Sequence, residues 1–362
     1  MNIGYLINFK WYPPQGGGTV HAYQVAQQLM KRGHSIHTIY YDYQAPNLNV
    51  YRQRHIFKFI KNIDVLYIRV HGYYNFENFT LLKALKFFTL PVVWEVNAPL
   101  EELLIRGKTK EEVEHLNFKR KLLAKFVNAS ICVSREMREY AFRDLKIPNS
   151  YFIPNGSDTE LFSPQKRDEK IYKDQKDHFK IVWIGSSNYP WQGVDIIFQV
   201  AREIYPMDKK ILFFLITEEK NLDRYKPLPD NIVLMDEKRY FDLPPFIASA
   251  DAGLCLYHNP GVNGKFHFSP LKLFDYMACG LPVIATDIGQ ISDVIKHQRN
   301  GILVNNNIDK IVDNILFLKN NPEKAKQMGC EARKDIENYY NWERVGEETE
   351  KILKSLIKGK EK

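Results

Sequence analysis

Short apolar runs alternate with amphipathic stretches along almost all of this 362-residue chain. Alternation of that kind demands parallel strands joined by crossover helices, so that helices cover the sheets. In the first half the pattern predicts strands over residues 3–9, 35–41, 64–70, 91–96 and 129–133. Helices fall at about 19–32, closed by Gly33, and at 78–87, 110–126 and 135–145. In the second half strands are expected at 179–184, 211–217, 232–235, 252–257, 283–286 and 301–304, with helices between them. Three helices close the chain, the last over about 342–357. The length suits two domains, each able to bury its own core. The stretch 163–178 is highly charged and contains Pro164, so it reads as the linker. The expected division is 1–165, then 166–340, then a terminal helix over 341–362.

One run carries chemistry. His267-Phe268-Ser269-Pro270-Leu271-Lys272-Leu273-Phe274-Asp275 leads through Gly280 into the apolar stretch 282–286. Ser269 is a good N-cap, and Pro270 suits the first helical position, where its missing N–H is not needed. The free N–H groups of Leu271 and Lys272 would then point at an anion, which the helix dipole favours. Lys272 adds a full charge. Asp275, three residues on, shares its helix face and offers a carboxylate to a ribose diol. Gly280 ends the helix, and a buried strand follows.

This run resembles the donor-binding signature of the retaining GT-B glycosyltransferases of family 4, in the subset with Ser-Pro-x-Lys before the second acid. Three further stretches carry the same resemblance, in the family's order. They are Gly16-Gly17-Gly18 after the first strand; Asn155-Gly156-Ser157-Asp158 with Phe162-Ser163-Pro164; and Gly185 followed by Trp191-Gln192-Gly193-Val194-Asp195. The resemblance implies an α/β GT-B architecture, with two Rossmann-like doubly wound domains facing a central cleft. The first would hold the acceptor and the second the nucleotide-sugar donor, with the terminal helix crossing back to the first. It implies retaining transfer from a nucleoside-diphosphate sugar to a hydroxyl of a glycan, lipid-linked or other acceptor. No metal and no further cofactor are required.

The candidate donor-binding residues are Gly16, Gly17, Gly18, Gln192, Gly193, His267, Ser269, Leu271, Lys272 and Asp275. The glycines allow close backbone approach to a phosphate or sugar. A dinucleotide loop would need a third glycine where His21 stands, so an oxidoreductase reading is poor. The candidate catalytic residues are Asn97, Glu95 and Lys272. Asn97 ends the strand 91–96, where ligands of open parallel sheets gather. It can orient a hydroxyl but cannot act as a base. Glu95 shares its face by strand alternation, with pairing to a core or surface cation as the bland alternative.

Departures from the family pattern matter. Many relatives carry an arginine soon after Gly185 and a lysine before Gly193; here Ser186, Ser187 and Gln192 stand there. His267 replaces the first acid of the pair, and backbone contacts from its glycine-bearing loop, with Gly261 and Gly264, are the favoured reading. These departures support an alternative, a noncatalytic GT-B-like nucleotide- or sugar-binding subunit of a transferase complex.

Net charge is +8, and residues 1–165 hold 21 Lys/Arg against 14 Asp/Glu. That asymmetry suits an anionic acceptor or peripheral contact with an anionic membrane surface. No nucleic-acid motif accompanies it. No apolar run approaches the roughly 18 residues of a membrane span, and the first residues read as a strand rather than a signal peptide. Cys132, Cys255, Cys279 and Cys330 are widely spaced and expected to be buried free thiols. The histidines lack metal-ligand spacing. A cytoplasmic location follows as the expectation.

Overall fold

The computed structural model describes residues 1–7, 9–39, 45–52, 55–70, 90–259 and 265–358. It divides into two compact units. Unit 1 comprises Met1–Asn155, His267–Ser269 and Trp342–Lys362, and unit 2 comprises Gly156–Phe266 and Pro270–Asn341. Both are Rossmann-like.

Unit 1 is built on strands β1 (Asn2–Leu6), β2 (Ser35–Ile39), β3 (Leu48–Tyr51), β4 (Val65–Val70), β5 (Val92–Val96), β6 (Ala129–Cys132) and β7 (Ser150–Phe152). They form one sheet in the order β3-β2-β1-β4-β5-β6-β7 with parallel pairing throughout. Its helices are α1 (Gly17–Lys31), α2 (Ile56–Lys61), α3 (Glu102–Ile105), α4 (Lys110–Ala124), α5 (Arg135–Arg143) and the terminal α12 (Trp342–Lys358). Helix α1 buries Val25, Ala26, Leu29 and Met30. The Thr19 hydroxyl accepts the N–H groups of Gln15 and Gly16 at 2.9 and 3.0 Å, which fixes the helix start. Gly33, at φ +81°, ends it. At the start of α4, Thr109 and Glu112 cap each other reciprocally, at 3.2 and 2.9 Å. Helix α12 lies on α1. Gly346 has no Cβ to collide with Gln28, and Glu350 meets His34 Nε2 at 2.6 Å.

Unit 2 contains β8 (Phe179–Ile184), β9 (Ile211–Ile216), β10 (Ile232–Met235), β11 (Ala252–Cys255), β12 (Val283–Thr286) and β13 (Ile302–Val304), in the order β10-β9-β8-β11-β12-β13, again parallel. Its helices are α6 (Val194–Ile204), α7 (Pro244–Ala248), α8 (Leu271–Ala278), α9 (Gly289–Val294), α10 (Ile308–Asn320) and α11 (Pro322–Tyr339). The strands are nearly all apolar because both faces are covered. Trp183, Phe198, Phe213, Leu254 and Ile284 fill the core.

Several expectations need correction. The units part between Asn155 and Gly156, ten residues before the predicted position. The stretch 163–178 is not a free linker. Phe162 is fully buried against Tyr240. Tyr172 is buried on Phe214 and donates its hydroxyl to Phe246 O at 2.9 Å. Arg333 holds the segment through the carbonyls of Thr159 and Phe162, at 3.0 and 2.7 Å. The charges that suggested a linker belong to the outward side chains between these anchors. Cys330 is exposed, unlike the other three cysteines. The helix predicted at 78–87, the end of the strand predicted at 35–41, and Gly261 and Gly264 lie outside the described residues.

Candidate functional site

Each sheet reverses its strand order once, between β1 and β4 in unit 1 and between β8 and β11 in unit 2. Ligands of open parallel sheets bind beyond the carboxyl ends of strands at such a switch. The candidate residues cluster at these two places.

In unit 1, Glu95 is fully buried on β5, and Arg69 lies directly beside it in the register of β4. Arg69 Nη1 and Asn97 Nδ2 both donate to Glu95 Oε1. Tyr67 O–H donates to Oε2 at 2.7 Å. His21, on α1, places Nε2 3.1 Å from Oε1 and Nδ1 2.6 Å from Asn155 Oδ1. Burial pushes the Glu95 carboxyl up, but Arg69, His21 and Tyr67 outweigh it and hold the group well below the usual carboxylate range. Glu95 is therefore a fixed anion that organises its neighbours. A carboxylate tied this way is a poor proton acceptor.

Asn97 sits where strand alternation placed it, bonded to Glu95, and its Oδ1 is buried with no hydrogen-bond partner among the described residues. The glycine loop caps α1. Gly16 is at φ −111°, and an added Cβ there would meet nothing within 4 Å. Neither strain nor crowding among the described residues explains a glycine at this place. Gly17 and Gly18 open the helix, whose first N–H groups have no partners within it.

The loop before α8 also lies in unit 1. Ser134 Oγ donates to His267 O at 2.9 Å, and the His267 side chain is buried. Asn155 donates its backbone N–H to Ser269 Oγ at 3.3 Å and its side-chain amide to Ser269 O at 2.8 Å. This corrects the predicted cap. The Ser269 hydroxyl serves Asn155, Pro270 is the N-cap residue in an extended conformation, and Leu271 is the first helical residue.

In unit 2, α8 is seated tightly. Tyr276 occupies the space a Gly253 Cβ would need, and its hydroxyl accepts the Ile184 N–H at 2.8 Å. Gly280, at φ +71°, ends the helix as expected. Lys272 is 9% exposed. Its Nζ donates to Gln192 Oε1 at 2.7 Å and lies 4.5 and 5.3 Å from the ring centres of Trp183 and Tyr257. No carboxylate pairs with it among the described residues. Burial pushes its ammonium down to about 7.

Gly185 leaves room for this cation, since a Cβ there would stand 2.9 Å from Nζ. Gly193 adopts φ +65° and lies against the Leu256 carbonyl, so a glycine is required there, whereas at Gly185 the nearest atom is the movable end of Lys272. Gln192 adds no charge and instead holds Lys272.

Asp275 is buried too, and its Oδ1 accepts the Ser157 hydroxyl at 2.6 Å. Burial pushes its carboxyl up to about 8; Ser157 opposes the shift and Asp158 adds to it. Lys272 and Asp275 thus share a helix but face different partners.

Sequence reading missed four participants in these clusters. Arg69 and Tyr67 show only as polar residues in an apolar strand. His21 was weighed only as a missing glycine. Arg224 donates through Nη2 to Ser187 O at 3.0 Å, bringing a cation to the loop after β8. Nothing local to Arg224 in the sequence signals that placement. His258 Nε2 also reaches both Asp195 oxygens, at 2.9 and 2.8 Å, tying the chain after β11 to α6.

A profile of group 1 glycosyl transferases matches residues 178–321, and a profile of glycosyltransferase family 4 matches residues 15–161. The chain belongs to the group 1, family 4 glycosyltransferases. It is similar to an uncharacterised glycosyltransferase of Methanocaldococcus jannaschii, at 26% identity over 66% of this chain and 61% of that one. The match thus spans less than two thirds of that relative's length. The gpi3 subunit of phosphatidylinositol N-acetylglucosaminyltransferase from Schizosaccharomyces pombe is 23% identical over 97% of this chain and 80% of the subunit. Anabaena HepE, solved in complex with UDP-glucose, superposes with a TM-score of 0.73 at 15% identity, covering 98% of this chain and all of that one. That likeness establishes the fold of this glycosyltransferase, the GT-B class. Among the described residues, no helix is long and apolar enough to cross a membrane.

Proposed function

We propose that this chain is a retaining, metal-independent glycosyltransferase that takes its sugar from a nucleoside diphosphate. The observation that carries the reading is Lys272. A buried ammonium with no carboxylate partner among the described residues, beside the start of α8, is a charge waiting for an anion. A diphosphate supplies that anion, and Asp275 supplies a carboxyl for the ribose. HepE, of the same fold, was solved with UDP-glucose.

In the proposed reaction the bond from the anomeric carbon to the diphosphate breaks. A bond to the acceptor hydroxyl oxygen forms on the same face, and the hydroxyl proton passes to the departing diphosphate. Lys272 and the first N–H groups of α8 stabilise the charge that grows on the leaving group. Asn97 of unit 1 orients the acceptor. Glu95 acts through its neighbours, as a positioning residue. The acceptor is a glycan or a lipid-linked molecule, and the protein works in the cytoplasm with peripheral access to an anionic membrane.

A thermal-shift screen with UDP, GDP, ADP and their common sugars tests the donor. A ligand at about a hundred times its dissociation constant adds roughly 2.7 kcal/mol of stability. A shift in the wild type that is absent in Asp275→Ala supports the reading, and no shift with any nucleotide overturns it. The alternative, a noncatalytic binding subunit, draws on Ser186, Ser187 and Gln192, and on the printed role of the gpi3 relative as a subunit. Slow hydrolysis of a sugar nucleotide by the isolated protein rules that alternative out.

A further inference from the structure

We infer that His21 is a protonation-dependent clasp on the segments where the chain passes between its two units, closed while both ring nitrogens carry a proton and released when one proton is lost. The inference does not rest on the transferase reading.

The chain leaves or enters unit 1 at Asn155, at His267 and Ser269, and at Trp342. His21, on α1 and 5% exposed, touches two of these places directly. Its Nδ1 lies 2.6 Å from Asn155 Oδ1, and its ring stands edge-on to Trp342 with centres 5.5 Å apart. It reaches the other through Asn155. The Asn155 side-chain amide donates to Ser269 O at 2.8 Å, and its backbone N–H donates to Ser269 Oγ at 3.3 Å.

The partners fix what the ring must supply. Asn155 Nδ2 is committed to a carbonyl, so the atom facing the imidazole is Oδ1, which can only accept. On the other side Nε2 lies 3.1 Å from Oε1 of Glu95, a carboxyl held in its charged form with no proton to give. Two acceptors require two donors, and the imidazolium alone has them. Arg69 and Asn97 share Oε1 with His21, and Tyr67 takes Oε2. Among the described residues, Glu95 is the charged group bonded to the ring, and Arg69 lies across that carboxylate.

When the imidazolium loses a proton, the remaining N–H stays with Glu95, because a hydrogen bond to an ionised group is the stronger one. The Nδ1 lone pair then faces the Asn155 oxygen 2.6 Å away and repels it. Turning the Asn155 amide relieves that contact but sets Oδ1 against the Ser269 carbonyl, so the bond joining the two crossings is lost. Losing one proton at one buried ring thus unties Asn155 from Ser269. The clasped arrangement holds the extra proton, so it is favoured as pH falls and released as pH rises.

The first test is nuclear magnetic resonance of the full chain with nitrogen-15-labelled histidine, the His21 signals being assigned by their absence in His21→Gln. Both nitrogens are expected to be protonated at about pH 6, and only Nε2 at about pH 9. A ring that stays neutral, or stays doubly protonated, at both pH values overturns the inference. Asn155→Asp puts a second carboxylate against Nδ1 and is expected to move the loss of the proton at least about one pH unit higher. An unmoved transition also overturns it.

The second test is hydrogen exchange read by mass spectrometry on peptides covering 153–158 and 267–271, corrected for the intrinsic effect of pH. In the wild type exchange is expected to be at least about tenfold faster at the higher pH. In His21→Gln, which cannot donate to both partners at either pH, the corrected rates are expected to be equal. A wild-type response that persists unchanged in His21→Gln assigns the pH dependence to other groups and removes the clasp. Should His21→Gln fail to fold, the wild-type titration and Asn155→Asp decide the matter, the histidine signals then being assigned from the backbone.

Discussion

Arg69 and Glu95 are register partners on adjacent parallel strands, both buried, with opposite charges in contact. Glu95 binds Arg69, Asn97, Tyr67 and His21 together, and His21 extends the network to Asn155. Glu95→Gln removes the charge that compensates Arg69 while keeping the shape. Breaking a buried pair in this way costs about 3–5 kcal/mol. Urea denaturation is expected to show a loss of that order, and a change below about 0.5 kcal/mol would show that Arg69 finds another partner.

Asp275→Ala is expected to weaken nucleotide binding by about 2–4 kcal/mol, from the loss of two strong hydrogen bonds to the ribose. Calorimetry with the nucleotide found in the screen measures it. An unchanged dissociation constant removes Asp275 from the donor site.

The same carboxyl makes stability depend on pH. Its value in the folded protein, about 8, lies above the ordinary 3.8. Between these the folded protein keeps a proton that the unfolded chain releases, so this contribution is full below about pH 4 and is lost as pH rises through about 8. Asp275→Asn cannot lose that proton. Its urea midpoint relative to wild type is expected to rise between pH 4.5 and pH 8, and a constant difference would contradict the raised value.

Lys272→Met is expected to lower turnover more than sugar-nucleotide affinity, because charge grows on the diphosphate as the bond breaks. Equal losses would make Lys272 a binding residue only. Its ammonium, pushed down to about 7 by burial, regains its proton beside a bound diphosphate. Calorimetry at pH 8 in buffers of different ionisation heat is expected to show uptake of roughly one proton, absent in the variant.

Gly185→Ala puts a methyl group 2.9 Å from Lys272 Nζ and 3.0 Å from Trp183. The lysine end can swing aside, so the fold is expected to survive while nucleotide affinity falls at least tenfold. Normal affinity with a normal melting temperature would show that the position of Lys272 is not fixed by this glycine.

The strands of both sheets were legible wherever apolar runs met turn residues. The ranges at 179–184, 232–235 and 283–286 coincide with β8, β10 and β12. β3 and β7 escaped because Leu48–Tyr51 and Ser150–Phe152 are short and half polar. The α8 run was legible as a helix because its apolar spacing and terminal glycine agree. The Ser269 cap misled because a tertiary partner, Asn155, competes for the same hydroxyl. Lys272 and Asp275 were legible as residues but not as environments. Nothing near them in sequence shows that Gln192 and Ser157 would be their partners, 80 and 118 positions away. The charges of Arg69 and Glu95 were visible inside apolar strands, yet only the strand register reveals that they meet.

Helix α12 covers α1, although it is synthesised after all of unit 2. A ribosome adding about 5–20 residues per second needs roughly 10–40 s to pass from Asn155 to Trp342. During that interval the first unit lacks the partners that Gln28, Arg32 and His34 find on α12. A ribosome stalled before Trp342 therefore leaves the second unit made while the first still lacks α12.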